Sequence, residues 1–128
     1  MEFLFAKGKV FSGKGEGAKF IQLPWVTRQI SEKLGFIPYP GTLNVKLSQE
    51  SLMLKNILRS NGSEILPAEG FCRGRFFEAY LKDDLKCAVV IPEVADYPED
   101  TLEIIAPVNL REKLRLRDGE DVEIKILL

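Results

Sequence analysis

Short segments in which apolar and polar residues alternate, each bounded by turn residues, are the feature that most limits how this chain can fold. In the last one, Val122, Ile124, Ile126 and Leu128 alternate after an Asp118–Gly119 pair, as in a strand with one buried face. Five further segments indicate strands: FLFAKGKVF, TLNVKL, GFCRGRFFEAYL, LKCAVVI and TLEIIA. Many short strands with only two brief helices predict a mainly β fold, a closed six-stranded barrel in one domain of residues 1–128.

The two short helices are predicted from their end signals. PWVTRQISEKLG has Pro24 in the first turn, apolar residues four apart, and Gly35 where a left-handed cap is favoured. VNLREKL has Asn109 as a helix-capping residue with a glutamate three positions later. Residues 48–68 fit one or two helical turns before an Asn61–Gly62 turn.

Composition excludes several classes of function. The chain has 128 residues and no histidine, and the lack of histidine excludes Ser-His-Asp and Cys-His catalysis and most zinc sites. Its net charge of −1 argues against nucleic-acid binding without sequence preference. No apolar run has the roughly 20 residues of a membrane helix, and the N-terminus lacks signal-peptide features, so we expect a cytoplasmic protein. Cys72 and Cys87 each lie in an apolar run, where buried free thiols are favoured over a disulfide.

Charge is distributed unevenly along the chain. Residues 7–19 carry four lysines against Glu16 alone, whereas residues 93–103 carry five acids and no base. The first segment predicts attraction of anions. The second would repel phosphates and favours a neutral ligand.

The glycine-rich stretch VFSGKGEGAKF raises the possibility of phosphate binding. It fails the P-loop pattern, because Ala18 and Phe20 replace the required glycine and hydroxyl residue. Gly13, Gly15 and Ala18 fit the dinucleotide-binding glycine pattern, but that pattern requires a following helix, and Pro24 comes too soon for one. Two alternatives therefore stay open, a loop whose backbone N–H groups bind phosphate and a plain mobile loop.

Four polar residues elsewhere are candidates for chemistry. Thr42 and Asn44 are two apart on a strand, so they share a face, and their neutral oxygens could bind Mg²⁺ together with substrate phosphates; the alternative is an ordinary strand surface. Glu103 begins an apolar strand and Arg111 lies in the first turn after Asn109. Taken singly, each of these two predicts a surface charge.

In combination, SGKGEGAKF, PYPGTLNVKL, EIIAPVNLREKL and LRDGEDVEIKI resemble the archaeal CTP-dependent riboflavin kinases in order and spacing. The resemblance covers nearly the whole chain and is weakest over residues 48–70. It implies a six-stranded cradle-loop barrel that converts CTP and riboflavin into CDP and FMN with Mg²⁺ as cofactor. It also implies two small-molecule substrates. From the charge and hydropathy we expect no nucleic acid or membrane partner, and we expect a monomer.

The resemblance also assigns site residues. It gives Mg²⁺ to Thr42 and Asn44, catalysis and flavin contact to Glu103, and a further flavin contact to Ala95. The chain departs from relatives here, since Ala95–Asp96–Tyr97 stands where many have Thr-His-Tyr, which leaves only the backbone of residue 95 for that contact. The residues assigned to the nucleotide are Gly13, Lys14, Gly15, Glu16, Gly17, Ala18, Val108, Asn109, Leu110 and Arg111.

Two rival functions remain open. The ending LRLRDGEDVEIKIL also resembles DNA-binding barrels of the swapped-hairpin regulators, although the net charge and the glycine loop argue against that function. A flavin-binding barrel without catalysis is the other alternative, favoured by the departure at Ala95. Because a strand begins almost at Met1, we expect no DNA-binding domain before it.

Overall fold

The computed structural model describes residues 2–13, 16–66, 73–82, 85–93 and 97–128. The strands in these residues are β1 (Phe3–Phe11), β2 (Leu43–Leu47), β3 (Ser63–Ile65), β4 (Gly74–Leu81), β5 (Leu85–Pro92), β6 (Thr101–Ile105) and β7 (Asp121–Leu127). The helices are α1 (Glu16–Ile21), α2 (Pro24–Leu34), α3 (Leu54–Arg59) and α4 (Leu110–Leu114), with a 3-10 turn at Gln49–Ser51.

Six of the strands close into an antiparallel ring. β1 pairs with β2, β2 with β6, β6 with β5, β5 with β4, β4 with β7, and β7 returns to β1. β3 is not part of the ring. It pairs with the first residues of β4, and β7 pairs with the last residues of β4 along the same edge of that strand. The predicted mainly β fold and closed six-stranded barrel are confirmed.

The apolar residues form two clusters because three strands are buried on both faces. One cluster fills the barrel and includes Val45, Phe77, Val89 and Ile124. The other lies outside the barrel, where α1 and α2 cover alternate residues of β4, β5 and β6. Strands covered on both faces read as continuous apolar runs, and β6 (TLEII) is accordingly buried at every position.

Both predicted helices are confirmed at their ends. α2 begins at Pro24 and ends at Leu34, and the next residue, Gly35, caps it with a φ of 79° and donates its N–H to the Ser31 carbonyl. Asn109 caps α4, where its side-chain oxygen accepts the Glu112 N–H at 3.3 Å. α3 falls in the segment where one or two helical turns were expected.

α1 contradicts the prediction that no helix follows the glycine-rich loop. Residues 16–21 are helical and end before Pro24. Phe20 and Ile21 pack in the outer cluster, being 5% and 2% exposed. Burial of these two side chains, about 1.5–3 kcal/mol each, stabilises a helix too short to form on its own.

Two further predictions concern membrane spans and cysteines. Across the described ranges, no helix is long and apolar enough to cross a membrane. Cys87 is a buried free thiol, as predicted, and burial raises its pKa to about 12. Cys72 lies outside the described residues.

Candidate active site

The centre of the candidate site is Glu103, on β6. Its side chain is 2% exposed, so the prediction that Glu103 taken singly is a surface charge is wrong. Thr42 Oγ donates a hydrogen bond to Glu103 Oε1 at 2.9 Å, and the Tyr97 hydroxyl donates one to Oε2 at 2.6 Å. A buried carboxylate held by two hydroxyls has a fixed position and orientation.

Asn44 lies beside Glu103 because β2 is the neighbour of both β1 and β6. In register, Phe11 of β1 faces Asn44 of β2, and Asn44 faces Glu103 of β6. The ring closure therefore aligns one residue from each of three strands that are far apart in the chain.

Gly13 follows the end of β1 and lies against the Asn44 side chain. A Cβ added to Gly13 would be 2.6 Å from Asn44 Oδ1 and 2.7 Å from Asn44 Cγ. These distances are shorter than van der Waals contact, so only glycine fits here unless the amide moves. The first glycine of the loop thus contacts Asn44, one of the two residues predicted to bind Mg²⁺.

Arg111 joins α4 to the start of the glycine-rich loop. Its guanidinium donates to the Phe11 carbonyl at 3.0 Å and to Asp118 Oδ1 at 2.6 Å. Asp118 also accepts the Ser12 hydroxyl at 2.8 Å. The hydrogen bond from Arg111 to Asp118, and after it the bond from Ser12, lowers the pKa of the Asp118 carboxyl. Arg111 is therefore anchored beside the loop by an ion pair.

A pocket of about 150 Å³ opens next to these residues, and its lining includes Thr42, Val108, Asn109, Leu110 and Arg111. Tyr39 and Gly41 also line it. Asn109 has a second contact here, since its Nδ2 donates to the Tyr39 hydroxyl at 3.3 Å. The structure thus brings the predicted segment 108–111 to the same side of the barrel as Thr42.

The rest of the predicted nucleotide loop is only partly described. Lys14 and Gly15 lie outside the described residues, and Glu16, Gly17 and Ala18 belong to α1. Upstream, Lys7 pairs with Glu123 at 3.6 Å and Lys9 with Asp121 at 2.9 Å. Two of the four lysines in residues 7–19 are therefore paired with acids of β7, which lies beside β1.

Three of the acids in the segment 93–103 form ion pairs. Glu93 pairs with Arg75, Glu99 with Arg59, and Asp100 with Lys46. All three bases come from other elements of the fold. These ion pairs reduce the excess of negative charge that the sequence of this segment indicates.

Sequence reasoning missed three residues that shape the site. Tyr97 was noted only as part of a departure from the family pattern, yet its hydroxyl contacts Glu103. Tyr39 and Asp118 had no assigned role, although they contact Asn109 and Arg111. The only sequence signal for these three residues is their type, two tyrosines and an aspartate, which can form hydrogen bonds with polar site residues. Ala95, the predicted flavin contact, lies outside the described residues.

The side chains of Thr42 and Asn44 fit a Mg²⁺ ion held together with phosphates. Their hydroxyl and amide oxygens are hard, neutral ligands of the kind that Mg²⁺ accepts. Among the described residues there is no group of three or more His, Cys, Asp or Glu side chains that could hold a metal. A metal here would therefore depend on oxygens from the substrate and water.

The chain is similar to one protein family and to several named relatives. The family model CTP-dep_RFKase, described as "Domain of unknown function DUF120", matches residues 10–126. The proteins named riboflavin kinase from Pyrobaculum islandicum and Methanosarcina barkeri are 46% and 41% identical over 94% and 98% of this chain. A riboflavin kinase from Archaeoglobus fulgidus is 38% identical over 95% of it. The chain spans 59%, 58% and 54% of the lengths of these three relatives.

Proposed function

Because the chain belongs to the family of CTP-dependent riboflavin kinases, we propose that it transfers the terminal phosphoryl group of CTP to the 5′-hydroxyl of riboflavin, giving FMN and CDP, in a reaction that requires Mg²⁺. The observation that carries this proposal is the buried Glu103 carboxylate, fixed by Thr42 and Tyr97 on the strand beside Asn44, which in turn lies against Gly13. A carboxylate so fixed, one residue away from the start of a glycine-rich loop, suits a reaction between a hydroxyl and a phosphate.

The nucleotide is assigned to the pocket beside α4 and to the glycine-rich loop. Val108, Asn109, Leu110 and Arg111 line the pocket, and Arg111 contacts the last residue of β1, close to the start of the loop. The loop, Gly13–Ala18, would bind the phosphates through backbone N–H groups. The anchored guanidinium of Arg111, although paired with Asp118, would lie close to the bound phosphates.

Thr42 and Asn44 are assigned to Mg²⁺. When bound, the ion neutralises phosphate charge and holds the triphosphate in line with the acceptor. The protein's part is to present two oxygens at a fixed spacing. Thr42 does so while its hydroxyl proton is donated to Glu103.

Glu103 is assigned to the acceptor. Its carboxylate would orient the riboflavin 5′-hydroxyl and accept its proton as the bond to phosphorus forms. Phosphoryl transfer requires positioning and charge neutralisation more than covalent chemistry from the protein. The absence of histidine from the sequence is therefore no obstacle.

The test is an assay for FMN with the chain as it is. The protein is incubated with riboflavin, Mg²⁺ and one of CTP, ATP, GTP or UTP, and the flavin products are separated by chromatography. FMN with CTP well above the other nucleotides is the expected result. Riboflavin bound without product would favour the flavin-binding alternative, and a DNA gel shift that persists at physiological salt would favour the regulator.

The metal assignment has its own test by titration calorimetry. Two neutral ligands should bind Mg²⁺ weakly in the free protein, and the affinity should rise sharply when CTP supplies phosphate oxygens. Tight binding of Mg²⁺ to the protein without nucleotide would contradict the assignment.

A further inference from the structure

Lys55, on α3, is a buried lysine that the proposed reaction does not use. Its side chain is 3% exposed, which is rare for lysine unless the ammonium group has partners. Nζ donates a hydrogen bond to the Thr101 carbonyl at 2.6 Å and makes longer contacts with the carbonyls of Pro98 at 3.4 Å and Glu99 at 3.5 Å. One ammonium group therefore binds three carbonyls of a single turn.

This turn supports Glu103 from two directions. It begins just after Tyr97 and ends at Thr101, where β6 starts, two residues before Glu103. Lys55 Nζ also lies 5.1 Å from the centre of the Tyr97 ring, within the range of a cation–π contact. The Tyr97 hydroxyl in turn donates to Glu103. Lys55 thus contacts both the strand that carries Glu103 and the tyrosine that orients it.

The charges around Lys55 are mixed. Burial lowers its pKa from 10.5 to about 8, and repulsion by Arg59 acts in the same direction. The carboxylates of Glu99, Asp100 and Glu103 act in the opposite direction. Lys55 therefore still carries its positive charge at neutral pH, which strengthens its bonds to carbonyls.

We propose that Lys55 is a positioning residue for Glu103: it holds the turn of residues 98–101 and the Tyr97 ring so that the carboxylate points at the acceptor hydroxyl. This inference rests on the proposed riboflavin kinase function. Lys55 neither touches the reacting atoms nor transfers a proton in the reaction. Its effect is on the turnover of bound substrates, because a small displacement of a reacting group lowers the rate more than it lowers binding.

The test compares Lys55→Met with Lys46→Met. Methionine matches the unbranched apolar stem of lysine but lacks the ammonium group, and so has no charge and no donor. Lys46 is the matched control, since its exposed ammonium contacts Asp100 of the same turn at 3.8 Å. We expect Lys55→Met to lower kcat about 10- to 100-fold, with the KM values for riboflavin and CTP within about threefold of wild type. We expect Lys46→Met to leave kcat within about twofold.

Three further measurements separate positioning from a general loss of structure. Rates are corrected for the folded fraction at the assay temperature, and Lys55→Arg, which keeps the charge and the donors, should recover most of the kcat. The double variant Tyr97→Phe/Lys55→Met should lower kcat by less than the product of the two single decreases, because both residues act through Glu103. Amide exchange at residues 101–103 should be faster in Lys55→Met and unchanged in Lys46→Met.

The possible failures are distinct. If wild type makes no FMN with any nucleotide, the proposed function is wrong, and the exchange measurement still reports whether Lys55 holds the turn. If wild type is active and Lys55→Met matches Lys46→Met in kcat or in exchange, the positioning role is overturned and the proposed function stands. Should Lys55→Met not fold, Lys55→Gln is judged by the same criteria.

Discussion

Replacing the Glu103 carboxylate by an amide tests the centre of the site with the smallest change in shape. Glu103→Gln keeps one oxygen as an acceptor and turns the other position into an NH₂ donor. Thr42 and Tyr97 both donate to Glu103, so one of the two hydroxyls must rotate and accept instead, which hydroxyls can do. The variant should therefore fold.

The cost in stability follows from these two hydrogen bonds. A hydrogen bond to a charged group contributes about 1.5–3 kcal/mol and a neutral one about 0.5–1.5 kcal/mol. Exchanging two of the first kind for two of the second costs about 2–3 kcal/mol, and the relief of burying a charge offsets part of that. We expect a loss of at most about 2 kcal/mol in the free energy of unfolding, which leaves a domain of ordinary stability almost fully folded at 25 °C.

The expected effect on the rate is larger than this. Loss of a general base lowers the rate about 10²–10⁴-fold, which corresponds to about 3–5 kcal/mol on the barrier. Partial unfolding of a domain that remains almost fully folded cannot account for a loss of that size. The activity and stability effects are thus separable by magnitude.

The assay measures FMN formation at saturating CTP, riboflavin and Mg²⁺, with urea unfolding measured on the same preparations. Glu99→Gln is the matched control, because Glu99 lies four residues earlier and its side chain is exposed, in an ion pair with Arg59. Its kcat should stay within about twofold of wild type. A kcat for Glu103→Gln within about threefold of wild type would refute the role of Glu103 as a base and leave it only a part in the shape of the pocket.

Three other predictions use the same preparations. Gly13→Ala should lower kcat about 100-fold because its Cβ would displace the Asn44 amide; if Gly13→Ala is as harmful in an Asn44→Ala background, the displacement is not the cause. Asn44→Ala should raise the Mg²⁺ concentration for half-maximal rate at least about 10-fold, and unchanged activity at low Mg²⁺ would remove Asn44 from the metal site. Between pH 8 and 10.5 the folded chain has lost the Lys55 proton, since the pKa of Lys55 is about 8, while the unfolded chain keeps that proton. The free energy of unfolding of wild type, relative to that of Lys55→Met, should therefore rise with pH in this window, by up to about 3 kcal/mol. Urea unfolding that gives the same difference between the two proteins at pH 7.5 and at pH 10.5 would contradict this.

The elements that the sequence predicts correctly are those with local signals. α2 is bounded by a proline and a glycine whose backbone preferences act within one turn, and α4 is capped by the side chain of the residue before it. Strand alternation likewise depends only on neighbours along the chain. α1 was missed because its stability comes from Phe20 and Ile21 packing on strands that lie more than 50 residues away in sequence.

The site residues divide in the same way. Gly13, Thr42, Asn44 and Glu103 were predicted by resemblance to a family, and the structure places them together. Their proximity could not be computed from spacing, because it follows from which strands become neighbours when the ring closes. The contribution of Tyr97 could not be predicted either, because a hydrogen bond across six residues depends on the turn between them.

The sequence by itself therefore determined the short alternating strands, the two capped helices and the family that the motifs together indicate. It also excluded the histidine-dependent kinds of catalysis. Only the tertiary structure decided how charge is distributed and which polar groups are buried. It paired Glu93, Glu99 and Asp100 with bases from other elements, and it placed Glu103 and Lys55 in the interior. The physical reason is that secondary structure depends on neighbours along the chain, whereas burial and ion pairing depend on neighbours in space, which barrel closure brings together from distant segments.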